Sequence, residues 1–158
     1  MLYSQHILGI IEEMDLEMTD TLPASKTTAK IAKAATAFVK MLTPEQKRMA
    51  TFNFTSQERQ QWQYIPKPRN GLPRGDLNTA QLDAAENLMA SSLSLVGLEK
   101  AQAIIQHELI LGSIDKQTGL KWFKRTPNLY FFSIFGSPGT YEPWGWRIEG
   151  HHLSLNIT

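Results

Sequence analysis

The densest set of side chains able to do chemistry lies late in the chain. Trp144, Trp146, Arg147, Glu149, His151, His152, Ser154 and Asn156 all fall between positions 144 and 156. In an extended chain, successive side chains point to opposite faces. Read as one strand over 144–158, the segment places Arg147, Glu149 and His151 on one face with Leu153, Leu155 and Ile157. Trp144, Trp146 and Ile148 share the other face with His152, Ser154 and Asn156. The two histidines then point to opposite sides, unless a bulge at Gly150 intervenes. Glu149 stands two residues before His151, which suits a carboxylate–imidazole pair that orients the ring and raises its basicity. His152, Ser154 and Asn156 form a polar row of the kind that lines a cavity. His151 and His152 are also candidate metal ligands, but a closed site needs three or four. A plainer reading stands beside these: locally satisfied histidines, and an ordinary Arg147–Glu149 ion pair.

Two other places carry weaker signals. His107-Glu108 is half of the zinc-protease pattern H-E-x-x-H, and position 111 is Leu, so the second ligand is missing. His107 is therefore read as a helix-surface or interface residue, and His6 carries no further signal. The loop around Lys67, Arg69 and Arg74 holds three cations and no acid, and Arg69 could clamp an anionic group through two nitrogens. A solvated loop accounts for the same residues. There is no nucleophile elbow, phosphate loop or dinucleotide fingerprint, and no motif marks Ser133 or Ser137.

The elements that must position these residues follow from periodicity and punctuation. Ile7, Ile10, Ile11, Met14 and Met18 predict a helix over 5–18, followed by a loop containing Pro23. A second helix is expected over 28–42, with Ile31, Ala34, Ala35, Phe38 and Leu42 on its inner stripe. Thr43-Pro44-Glu45-Gln46 is a capping box with proline in the first turn, opening a short helix that ends near Ala50. Phe52 and Phe54 alternate with polar residues and can dock on the core. The prolines and glycines of 66–77 forbid a long element. Asn78 and Gln81 make a second capping box, opening a helix to about Ser92. A further helix is expected over 98–112, with Leu98, Ala101, Ile105 and Leu109 facing inward and Gly112 as its stop. Residues 129–135 read as a strand buried on both faces, 136–139 as a turn. Helices first and strands later predict an α+β fold, with N-terminal helices packed on an antiparallel sheet. The expected organisation is one domain over 1–158: a variable helix and loop (1–26), a helical part (27–112) and strands (120–158). Two strands make a marginal sheet, so the pattern calls for further residues or another chain to complete it.

Bulk properties bound the partners. The chain has 158 residues, 42% hydrophobic and 20% charged, which suits one packed domain. Its net charge of +1 lacks the footprint of a general nucleic-acid binder and gives little attraction to anionic lipid. No cysteine is present, which removes disulfides, thiol nucleophiles and zinc–thiolate sites. No secretory signal or membrane-length apolar run is visible, leaving a cytoplasmic location as the default.

Two longer signatures carry a resemblance. One is Trp62-x-Tyr64-x-Pro66-x-x-Arg69-x-Gly71-Leu72, followed by Leu77 and Gln81. The other is Tyr130-x-x-Ser133-Ile134-Phe135-Gly136-x-Pro138, continued by the run from Trp144 to Asn156. With the capped Leu42-Thr43-Pro44-Glu45-Gln46, they resemble a family catalogued as a domain of unknown function (number 3500), over residues 35–158. Members run to about twice this chain's 158 residues, and their second half carries another strand and histidine-rich motifs. The resemblance thus implies an N-terminal half, whether a truncated product, a fragment or one piece of a split protein. It brings no reaction with it.

Three functional readings follow. The first is an enzyme acting on a small molecule: His151 or His152 serves as base or as ligand to a divalent metal, Glu149 orients it, and Arg147 clamps the substrate. The second is a binding module in which Trp144 and Trp146 stack on a sugar or aromatic group and Arg69 holds its polar end. The third is a structural corner in a truncated remnant without activity.

Overall fold

The computed structural model describes residues 25–119, 124–139 and 141–158. The helix expected over 5–18, with His6, and nearly all of the loop after it lie outside the described residues. Helix α1 (Lys26–Met41) starts where the Ser25 side chain accepts from the Thr28 amide, and it buries Ala35 and Phe38. It cannot run into the next helix because the residue before a proline disfavours helical backbone. Thr43 accordingly sits at φ −64°, ψ 162°. Helix α2 (Pro44–Ala50) and helix α3 (Thr79–Ser92) both begin with complete capping boxes, at Thr43/Gln46 and Asn78/Gln81. The structure links the two boxes. Gln81 Nε2 donates to Gln46 Oε1 at 2.8 Å and to the Met41 carbonyl at 3.0 Å. Gln46 Nε2 donates back to Gln81 Oε1 at 3.0 Å. Each local start signal thereby becomes a tertiary contact, and α1 packs against α3.

Helix α4 (Leu95–Thr118) is longer than its periodicity predicted. Gly112 does not stop it; Gly119, at φ +75°, does. Gly112 is instead an internal position where a Cβ would lie 3.2 Å from Arg125 Cβ. The inner face also differs. Ala101, Ile105 and Glu108 are buried, while Leu109 is 57% exposed. Steps of three and four residues carry the stripe from 101 through 105 to 108, and Leu109 lies beyond its edge, on the side of Ile105 away from Glu108.

The sheet contains β1 (Thr51–Phe52), β2 (Leu72–Pro73), β3 (Phe131–Phe135), β4 (Gly145–Gly150) and β5 (Leu153–Ile157). Its order is β1-β3-β4-β5, with β2 also pairing β3. The fold is α+β, as expected, but the sheet is mixed, because β1 runs parallel to β3. The remaining pairings are antiparallel. The expected single strand over 144–158 is a hairpin. Gly150 pairs with Leu153, and His151-His152 form the turn, with His152 in the left-handed region at φ 57°. Gly150 is required there, since a Cβ would collide with the Tyr130 ring. Phe131–Phe135 is buried along its whole length, as its apolar run predicted.

Alternation sorts β3 and β4 into two faces. Tyr130, Phe132, Ile134, Trp146 and Ile148 join the core formed with the helices. Ser133, Arg147 and Glu149 face the segment 58–71. The sheet therefore separates an apolar, helix-covered layer from a polar layer covered by the proline-rich loop. Among the described residues, no helix is long and apolar enough to cross a membrane.

Candidate functional site

The strand arithmetic placed Arg147 and Glu149 on one face, and β4 holds them there. Arg147 is fully buried. Its Nη1 donates to the carbonyls of Glu58 (2.8 Å) and Gln61 (3.0 Å), and its Nη2 to Glu58 Oε1 (2.6 Å). The same Nη2 lies 2.9 Å from Glu149 Oε1. Arg69 reaches in from the loop. It donates to the carbonyls of Gln63, Ile65, Lys67 and Gly150 at 2.7–3.1 Å. Its terminal nitrogens, which an outward anion clamp would need, are all engaged inside the protein. The two arginines instead fasten the loop to the sheet. Gly71 makes the crossing possible: at φ +109°, its missing Cβ would lie 2.6 Å from Ser133 Oγ.

Glu149 sits between these cations yet is not a simple ion-pair partner. Burial pushes its carboxyl above the usual range, outweighing the downward pull of Arg147 and Arg69. Burial likewise lowers Arg69, against the raising effect of Glu149. The two meet at 3.6 Å, from Arg69 Nε to Glu149 Oε2, too far for a hydrogen bond.

The histidines belong to the other layer. Glu149 does not pair with His151; Glu108, from the inner face of α4, does. Glu108 Oε1 lies 2.5 Å from His151 Nδ1, with both side chains buried. Arg125 Nη1 lies 3.2 Å from Nδ1 and 3.3 Å from Nε2 of the same ring. The Glu108 carboxylate can only accept, so Nδ1 carries a proton; Arg125 Nη1, nearly equidistant from the two ring nitrogens, does not choose between them. Arg125 is itself held by Asp115, Nε to Oδ2 at 2.8 Å. The Tyr130 hydroxyl donates to the His151 carbonyl at 2.7 Å and pins the turn. Burial, reinforced by nearby Glu108, holds that hydroxyl well above its ordinary pKa, so it remains a donor.

His152 does not point away from His151. The left-handed turn brings the two rings to 3.8 Å between centroids. With Ile104, His107, Glu108, Ile110 and Leu111 they line a cavity of about 440 Å³. His107 thus does lie beside other histidines, though not as part of a zinc-protease pattern. Among the described residues, no group of three or more His, Asp or Glu side chains is arranged to hold a metal ion. At His151 the ring already lies beside the Arg125 guanidinium cation. The other expected residues lie elsewhere. Trp146 is 1% exposed, and its indole donates to Ser92 Oγ at 3.2 Å. Trp144 is half-buried against the core. Asn156 donates to Ser154 Oγ at 3.1 Å on β5, away from the turn that takes His152 out of their row. The sequence did hold one overlooked signal: an acid at 108, in step with the apolar positions 101 and 105.

Residues 24–158 match a family described as a protein of unknown function, DUF3500. The chain belongs to that family. No curated protein and no solved structure matches it. Both layers of this DUF3500 chain, the Arg147–Glu149–Arg69 group and the His151–Glu108 pair, fall inside the matched residues.

Proposed function

We propose that this DUF3500 chain carries a histidine-based general acid–base site for a small molecule, with His151 as the base, Glu108 orienting it and Arg125 facing the charge that develops. The observation that supports this reading most strongly is the 2.5 Å contact between Glu108 Oε1 and His151 Nδ1 at the wall of a largely apolar cavity. A carboxylate behind an imidazole is the arrangement that holds the ring in one tautomer and stabilises its protonated form during a proton transfer. Apolar walls of this kind favour an uncharged substrate over an ion. A substrate entering at Nε2 displaces the long 3.3 Å contact with Arg125, and the guanidinium is left beside the nascent anion.

An ester of an uncharged phenol is a direct probe. Nε2 takes a proton from water, the hydroxide oxygen bonds to the carbonyl carbon, and the tetrahedral oxyanion faces Arg125. Collapse then expels the phenolate. Hydrolysis of p-nitrophenyl acetate by the parent chain is expected to exceed that of free imidazole at equal concentration. It should fall by about a hundredfold in His151→Asn, the lower end of what a positioned base contributes. Glu108→Gln should retain a fraction of the parent rate. If His151→Asn hydrolyses the ester as fast as the parent, with an unchanged thermal melt, the reading fails.

A further inference from the structure

A second cleft, in the loop-covered layer, is independent of the His151 site. Its volume is about 480 Å³, and Glu149, Arg69 and Trp62 lie on its wall. Two buried atoms there have no hydrogen-bond partner: Glu149 Oε2 and Arg69 Nε. Glu149 as a whole is 2% exposed, and the Arg69 side chain 3%. Buried donors and acceptors in native proteins are nearly always met, so such a pair points to something that fills it.

The chemistry of the pair narrows what that can be. Oε2 accepts, Nε–H donates, and the atoms are 3.6 Å apart. An ammonium can only donate, and a carboxylate or phosphate can only accept. A hydroxyl does both, taking the proton of Nε–H while giving its own to Oε2. The charge of the lining agrees: Glu58 and Glu149 are balanced by Lys67 and Arg69. Amides of Gln57, Gln61 and Gln63 supply further donors and acceptors around the opening. Trp62 is 64% exposed, with Tyr64 beside it at 5.9 Å between ring centroids. An open indole next to hydroxyl-matching groups is suited to the C–H face of a pyranose ring. We propose that this cleft binds a neutral saccharide, stacked on Trp62, with one hydroxyl seated between Glu149 Oε2 and Arg69 Nε–H.

The test is a titration of the full ¹⁵N-labelled chain with glucose, galactose, mannose, cellopentaose and maltopentaose, with glycerol as the control. The readouts are the Trp62 indole N–H and the Arg69 Nε–H signals. At least one saccharide is expected to shift both in a saturable way where glycerol does not. Trp62→Ala should weaken that binding at least tenfold, in line with the loss of an aromatic anchor. Because Trp62 is exposed, its thermal midpoint should stay that of the parent. Tighter binding of a pentasaccharide than of its monomer assigns a glycan chain; equal binding assigns a free sugar. The proposal is overturned if no saccharide moves either signal up to about 100 mM, a concentration that exposes even millimolar affinities. It is also overturned if glycerol acts equally well, or if Trp62→Ala binds as the parent does. The cleft then holds ordered water only.

Discussion

Replacing Glu149 by Gln asks whether the buried Arg147–Glu149–Arg69 group is held together by charge or only tolerates it. Gln keeps the shape, and its carbonyl oxygen can still accept from Arg147 Nη2, now 2.9 Å from Oε1. What disappears is one buried negative charge between two buried cations. Removing one partner of a well-matched buried pair typically costs about 3–5 kcal/mol. Here the cost should be smaller, about 1–2 kcal/mol near neutral pH, because burial already outweighs both arginines at this carboxyl. The sign of the pH dependence follows. A carboxyl raised in the folded state binds its proton more tightly there than in the unfolded chain. Its contribution is most favourable below the ordinary glutamate range and declines as pH rises through the raised folded value. Urea unfolding of the parent and Glu149→Gln, from acid to neutral pH, should therefore show the variant's deficit shrinking as pH rises. A deficit that grows with pH would instead show the anion to be net stabilised by Arg147 and Arg69, against the expected sign. Arg147→Met is the contrasting case. It strands Glu58 Oε1 and two carbonyls, and should cost about 3–5 kcal/mol in the same assay.

Two further variants test how the loop and the helices are fastened. Gly71→Ala places a Cβ against Ser133 Oγ and the Phe132 carbonyl at φ +109°, and should lower unfolding free energy by about 1–3 kcal/mol; an unchanged urea midpoint would show that the crossing can relax. Gln81→Ala severs the link from the second capping box to Gln46 and Met41 and should cost about 2 kcal/mol, more than the same change at the half-buried end of the link, Gln46→Ala; equal losses by thermal unfolding would reduce both boxes to local caps.

Much of the fold was legible because its signals are local. Capping boxes, prolines and apolar stripes act within a few residues, and they placed α1, α2 and α3 closely. The Phe131–Phe135 strand announced itself by an apolar run with no polar face. Glycines are the ambiguous signals in this chain. Gly112 reads as a helix stop, but it lies inside α4, where its missing Cβ leaves room for Arg125, and the stop is Gly119. Gly150 could be a bulge or the start of a turn; it starts the turn, and the Tyr130 ring, twenty positions earlier, leaves no room there for a Cβ.

Although β1 and β2 come before α3 and α4, against the expected order of helices first and strands later, the sequence alone carried the α+β class, the shared face of Arg147 and Glu149, and membership of DUF3500. It did so because those properties depend on residue type and short spacing. Which carboxylate serves His151 is set by long-range packing. Glu108 is 43 positions away, and nothing local distinguishes it from an acid on a solvated helix face. The same holds for Arg69, whose four carbonyl contacts exist only once the loop is laid across the sheet. Partners distant in sequence are chosen by how layers pack, and that choice also parted the histidines from Glu149 and gave each layer its own cavity.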